Sequence, residues 1–181
     1  MSSTVLIFPG IGNSGPTHWQ SLWEQSHPAF VRISQRDWDH PICDEWTAVL
    51  ERTVQRLGSS VAIVAHSLAC LAVAHWAARS HSPISAALLV AVPDPAGPNF
   101  PEEAVGFSPL PIQRFSFPSI VVASTDDPYC TLSHAQACAS AWGSRLVNIG
   151  AAGHINANSG LGEWTDGYNL LQQLRDERAK R

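Results

Sequence analysis

Charge is scarce in this sequence: Asp, Glu, Lys and Arg make up 14% of 181 positions, the formal net charge is -4, and no basic stretch precedes the last few residues. A nucleic-acid surface needs clustered lysine and arginine, so that class of partner is excluded. Arg175, Arg178, Lys180 and Arg181 read instead as a solvated helix end favoured by the helix dipole. Long apolar runs are also missing. Nothing approaches the ~20 residues of a membrane span, and Met1-Ser2-Ser3-Thr4 enters a strand without the charged segment of a signal peptide. Cysteine is sparse and scattered, at Cys43, Cys70, Cys130 and Cys138, with no CxxC pair. Zinc and redox motifs are disfavoured, and the four thiols read as reduced in a cytoplasmic protein. No HxxxH or HExxH spacing exists for a metal, so neither metal nor cofactor is expected. Repeats, linkers and low-complexity segments are absent.

What is present is a hydrophobic content of 45%, enough for one globular domain over residues 1–181. Short apolar runs alternate with helical patterns. Strands are expected at 4–8, 29–34, 61–65, 86–92, 119–124 and 145–149. Helices are expected at 17–26, 45–57 with Asp44 as N-cap and Gly58 as terminator, 68–78, 132–142 and 166–178. This alternation implies an α/β fold, a roughly six-stranded parallel sheet covered on both faces. The segment from Pro93 to Pro118, rich in proline and phenylalanine, is long enough to be functional or mobile.

Residues 61–77 carry the strongest signal. An apolar β-branched run ends at Ala65-His66-Ser67-Leu68-Ala69, and a small-residue helix follows. Strand, serine, helix is the context of a nucleophile elbow, usually Gly-x-Ser-x-Gly. The residues two before and two after the serine crowd the strand and helix and must be tiny, a test alanine passes less easily than glycine. The Leu68 amide then points at any oxyanion formed beside Ser67. An ordinary turn with a capping serine is the bland alternative.

The first strand ends in Pro9-Gly10-Ile11-Gly12-Asn13-Ser14-Gly15-Pro16. Gly10, Gly12 and Gly15 have GxGxxG spacing, but Pro16 follows, and the next strand ends without a ribose-binding acid. The better use of this loop is to lend a second oxyanion amide, that of Ile11. Gly10, Gly12, His18 and Phe100 are candidates for the substrate pocket. His18 also reads as a structural histidine, and Phe100 and Phe107 serve equally well as pocket wall or as core anchors. Asp37 and Asp39 follow an edge strand and suit turn or capping roles.

In a parallel sheet every carboxyl strand end opens on one edge. Ser67 follows the third strand, Asp127 the fifth and His154 the sixth, so all three share a rim. Their order, Ser then Asp then His, is that of α/β-hydrolases. His154 suits a general base and Asp127 an orienting acid. Asp127 is preferred to Asp126 because it directly precedes Pro128 at the start of a turn.

Phe8-Pro9-Gly10-Ile11-Gly12-Asn13-Ser14-Gly15-Pro16, His18-Trp19-Gln20, Trp23, Asp37-Trp38, Ala65-His66-Ser67-Leu68, Ser124-Thr125-Asp126-Asp127-Pro128, Gly153-His154-Ile155-Asn156-Ala157 and Ser159-Gly160-Leu161-Gly162-Glu163-Trp164 together resemble the retinoblastoma-binding-protein-9-type (YdeN-like) serine hydrolases. The resemblance spans almost the whole chain. It implies a small α/β-hydrolase fold without a cap domain, a triad at Ser67, Asp127 and His154, and a small-molecule acyl substrate, an ester or secondarily an amide. Departures are Ala65 and Ala69 at the elbow glycine positions, and Cys130-Thr131 where relatives often carry an apolar residue and proline. The alternative is a protein-binding or regulatory module on the same scaffold, suggested by exposed aromatics among seven tryptophans.

Overall fold

The computed structural model describes residues 4–179. Met1 to Ser3, Lys180 and Arg181, and with them part of the expected basic helix end, lie outside the described residues. The elements in order are β1 (Val5–Phe8), α1 (Trp19–Ser26), β2 (Phe30–Arg32), α2 (Cys43–Leu57), β3 (Ala62–His66), α3 (Leu68–Ala77), β4 (Ala86–Val90), β5 (Ser119–Ala123), α4 (Leu132–Trp142), β6 (Arg145–Asn148) and α5 (Thr165–Ala179). A short 3-10 turn at Ala157–Ser159 precedes α5. All strands are parallel, in the order β2-β1-β3-β4-β5-β6.

Period-two alternation in the central strands divides the core. Leu6, Phe8, Ile63, Ala65 and Leu89 face a cluster with Trp46, Leu50, Leu71 and Trp142, supplied by α2, α3 and α4. Val5, Ile7, Val64, Leu88 and Val90 face a second cluster with Trp19 and Trp23 of α1, Leu171 of α5, and Trp164 just before α5. Each such large side chain contributes about 1.5–3 kcal/mol by leaving water. The edge strands are short and only partly buried, β2 with three residues and β6 with four, which limits their use as pairing templates. Helix α3 is buried on every side from Leu68 to Trp76, as its lack of a polar face requires.

Two sequence expectations change here. Helix α2 begins at Cys43, and Ile42 rather than Asp44 is its N-cap residue, with no side-chain cap bond. The Cys43 amide donates instead to the Val105 carbonyl at 2.9 Å, and the Val105 amide to Pro41 at 2.9 Å. Asp44 points outward and pairs with Arg79 at 2.7 Å. Second, Trp19, Trp23, Trp46, Trp76, Trp142 and Trp164 are each at most 5% exposed, and Trp38 is half-buried. The expected aromatic protein-binding surface is therefore core. The 93–118 segment is the β4–β5 crossover, with no helix in it. It is anchored by Asp94 N to Tyr129 O and Phe115 N to Trp142 O, both at 2.9 Å, and by Trp142 Nε1 to Pro111 O at 2.8 Å. Among the described residues, no helix is long and apolar enough to cross a membrane.

Strand β1 lies between β2 and β3, so the chain leaves β1 toward one side and returns on the other. The crevice beyond the carboxyl ends of β1 and β3 is thus a topological switch point, where ligands bind in open α/β sheets.

Candidate active site

Ser67 stands at that switch point. Its backbone has φ 55 and ψ -126, a conformation costing a non-glycine residue about 1–3 kcal/mol. The strain is held by the bonds on either side, Ser67 N to Val90 O at 2.9 Å and Cys70 N to Ser67 O at 2.8 Å. Ala65 and Ala69 are fully buried beside it, as the crowding argument requires. Gly10 closes the other side: a Cβ there would lie 3.0 Å from both His66 O and Ser67 Cβ.

His154 Nε2 lies 2.7 Å from Ser67 Oγ. His154 Nδ1 lies 2.9 and 3.0 Å from the two Asp127 oxygens. The Asp127 side chain is 1% exposed and that of His154 11%. The Tyr129 amide also donates to Asp127 Oδ1, at 2.9 Å. The three residues from three strand ends therefore form one hydrogen-bonded row. Ile11 and Leu68 line the cavity at Ser67, and neither backbone amide donates to a protein acceptor among the described residues.

The loop carrying His154 is tied peptide by peptide. Ala152 N donates to Ser124 Oγ at 2.9 Å, and Gly153 N to Asp126 Oδ1 at 2.7 Å. His66 Nε2 donates to His154 O at 2.9 Å, and Trp19 Nε1 to Ile155 O at 2.8 Å. Asp126 thus joins the acid turn to the histidine loop, with Ser124 Oγ donating to it at 2.8 Å. Those bonds hold its carboxyl below the ordinary range.

His66 adjoins the nucleophile in sequence, and its position there gives no hint of the bond it makes to the histidine loop. A carbonyl can only accept, so its Nε2 carries the proton. Burial, aided by His154 and His18, pushes its pKa well below the usual imidazole value. His18 behaves alike: burial first, then Arg32 and His154, lowers it from 6.5 to about 4. Its Nδ1 accepts from Gln20 N at 3.1 Å and caps α1. Tyr129 was also missed; its ring packs 4.6 Å from the His154 ring. Its place directly after Asp127-Pro128 puts it in the acid turn, but the ring contact itself depends on how that turn folds over the histidine loop.

The cavity at Ser67 has a volume of about 270 Å³, and Gly10, Ile11, His18, Leu68, Phe100 and His154 are among its lining residues. Gly12 is not. Its φ of +75 with open space around it, and its amide bond to Trp38 O at 2.8 Å, make it a turn residue, which corrects its expected pocket role. Phe100 and Phe107 separate: Phe107 packs edge-on against Trp46 and His75 in the core. Asp37 accepts from the amides of Asp39 and His40, the turn role expected. A wider depression of about 830 Å³ lies between α2 and residues 76–83. Its one buried-edge acid, Glu51, is occupied by Gln55, Trp76, Ser80 and Ser82. The four cysteines are free and buried; desolvation pushes Cys43, Cys130 and Cys138 up to about 12, so these thiols are inert. Among the described residues, no His, Cys, Asp or Glu group is placed to hold a metal ion.

A family model described as serine hydrolase matches residues 5–173. No curated protein matches the chain. Among solved structures, a protein described as a YdeN-like hydrolase from Pectobacterium atrosepticum is 32% identical, with 97% of this chain and 91% of that chain covered and a TM-score of 0.86. The ydeN gene product of B. subtilis shares the fold at 20% identity, with 96% and 98% covered and a TM-score of 0.78. Est1E from Butyrivibrio proteoclasticus shares it at 12% identity, with 96% and 89% covered and a TM-score of 0.65.

Proposed function

The chain belongs to the serine hydrolase family, and from that premise we propose that it hydrolyses small acyl esters, and secondarily amides, through an acyl-enzyme on Ser67. Serine is a poor nucleophile at neutral pH. His154 Nε2 takes the hydroxyl proton as Oγ attacks the acyl carbonyl, and returns it to the leaving group. Asp127 fixes the imidazole tautomer and stabilises the imidazolium. The amides of Leu68 and Ile11 receive the oxyanion. Water activated by His154 then releases the acid. The observation that carries this reading is the 2.7 Å contact between His154 Nε2 and Ser67 Oγ.

Substrate size follows from the cavity. At about 270 Å³ it lies just below the usual range of small-molecule pockets, which suits short acyl groups rather than long lipid chains. Four unpaired buried thiols fit a reducing compartment, and we assign the protein to the cytoplasm.

A fluorophosphonate probe tests the assignment. Wild type is expected to label at Ser67, and Ser67→Ala not at all. Turnover of p-nitrophenyl acetate is expected to fall by about 10⁴-fold or more in His154→Ala. Labelling that survives Ser67→Ala overturns the assignment of the nucleophile, and equal turnover in wild type and His154→Ala overturns the hydrolase in favour of a binding module.

A further inference from the structure

His154 stands between two residues of left-handed backbone, Gly153 with φ 56 and Ile155 with φ 48. For a β-branched residue this conformation costs about 1–3 kcal/mol and persists only where the surroundings impose it. On the far side of His154 they do so through the core. Ile155 is fully buried, and its carbonyl accepts from Trp19 Nε1 at 2.8 Å. On the near side the anchor is a different one, and it comes from the turn that carries Asp127.

That anchor is Asp126. Its Oδ1 accepts from the Gly153 amide at 2.7 Å, one residue before the base, and from Ser124 Oγ at 2.8 Å. A hydroxyl has one proton to give. With that proton committed to Asp126, the Ser124 oxygen is left as an acceptor and takes the Ala152 amide at 2.9 Å. One carboxylate thereby sets two consecutive amides, one directly and one through a serine that is 1% exposed. Such charge-assisted bonds are among the stronger ones. Ser124 first, then Gly153, hold the Asp126 carboxyl below its ordinary range. A main-chain bond from Thr125 N to Gly150 O, at 2.9 Å, also joins the two segments, but it reaches only the start of the loop. The adjacent carboxylates thus divide the histidine. Asp127 takes ring Nδ1 at 2.9 and 3.0 Å, and Asp126 takes the main chain that carries the ring.

We propose that Asp126 is a positioning residue for the reaction: as a hydrogen-bond acceptor, not as a charge, it holds the peptides before His154 so that the ring meets Asp127 and Ser67 at once. This rests on the hydrolase reading above and adds to it a residue outside the cavity lining. Asp126 is exposed, so water and salt screen its charge, whereas its bonds to the loop fix a direction.

Two substitutions separate acceptor from charge. Asp126→Ala removes both bonds. Asp126→Asn removes the charge and keeps an Oδ1 able to accept from both donors. In Asp126→Ala, kcat for p-nitrophenyl acetate is expected to fall about 100-fold, the cost of a misplacement near 1 Å, at unchanged KM. Asp126→Asn is expected to recover most of that loss. The imidazole nitrogen resonances of His154 read the ring directly: a single Nδ1–H tautomer is expected in wild type and Asp126→Asn, and a mixture in Asp126→Ala. Wild-type kcat in Asp126→Ala, with or without a lower Tm, overturns the proposal and leaves Asp126 a turn residue. Equal loss in both variants overturns it in favour of a charge effect, and a fall in kcat with the wild-type tautomer overturns it as well. If Asp126→Ala does not fold, Ser124→Ala cuts the Ala152 bond alone. Its kcat is expected to fall about tenfold at unchanged KM, the worth of one hydrogen bond, and full activity overturns the proposal. If wild type hydrolyses no ester, the resonances decide: tautomer mixing in Asp126→Ala keeps the positioning role while the hydrolase reading falls, and its absence removes both. Ser67-dependent hydrolysis with full activity in Asp126→Ala leaves the hydrolase reading standing and removes this one.

Discussion

Ser67 is placed by backbone and His154 by side chains. The elbow needs a strand register, two alanines, one close-packed glycine and two main-chain bonds, nearly all within a dozen residues of the serine or on the neighbouring strand. The histidine loop is held by side chains of Trp19, His66, Ser124 and Asp126, from three separate parts of the chain. A site half fixed by sterics and half by hydrogen bonds has two failure modes. Crowding displaces the nucleophile, whereas deletion of a distant donor or acceptor loosens the base.

The largest effect is expected where the loop meets the reaction. Asp127→Asn removes the acceptor for His154 Nδ1–H and favours the wrong tautomer; kcat for p-nitrophenyl acetate is expected to fall about 10⁴-fold with the fold retained by circular dichroism. On the elbow side, Gly10→Ala drives a methyl within 3.0 Å of His66 O and Ser67 Cβ. A displacement of this order is expected to cost roughly 100-fold in kcat/KM, and Tm falls with it. A Gly10→Ala enzyme with unchanged kinetics would mean the elbow tolerates more crowding than its packing implies.

Acid sharpens the contrast further, because two neutral histidines lie between the regions. His18 has its pKa lowered from 6.5 to about 4 by burial, and His66 is lowered by the same cause. Below pH 6.5 the unfolded chain takes up these protons and the folded chain does not. Stability is full above that pH and declines as the pH falls toward 4, His18 alone accounting for about 3 kcal/mol. Thermal melts between pH 7 and pH 4 check this, and the slope is expected to be shallower in His18→Asn. The smallest effect is expected from Trp19→Phe, which leaves the Ile155 carbonyl without its donor. Stability is expected to drop by about 1–3 kcal/mol in urea unfolding, with a milder loss of kcat than for Asp127→Asn.

Reading the chain without coordinates reaches the elbow because its requirements are local. An apolar run, tiny flanking residues and a following helix stand next to Ser67 in sequence. It reaches Asp127 and His154 through the rule that parallel strands open on one edge, which needs only strand ends. It does not reach Tyr129 or the bond from His66 to His154 O, since these depend on how two loops fold over each other. Gly12 misleads for the same reason: a glycine beside a pocket and a glycine turning away from it look alike until the backbone path is known. Asp44 misleads because an acid before a helical pattern reads as a cap, while the helix already begins one residue earlier, where the Cys43 amide pairs with Val105 from about sixty residues on.

The amino-acid sequence by itself determined the α/β class, the parallel sheet and the three residues of the hydrogen-bonded row, because hydrophobic period and strand-end position are properties of short stretches. The tertiary structure alone decided which side chains restrain the histidine loop, that six of the seven tryptophans are core, and which first-loop glycine lines the cavity. Those depend on contacts between residues far apart in the chain, where a few tenths of an ångström separate a hydrogen bond from an unpaired group.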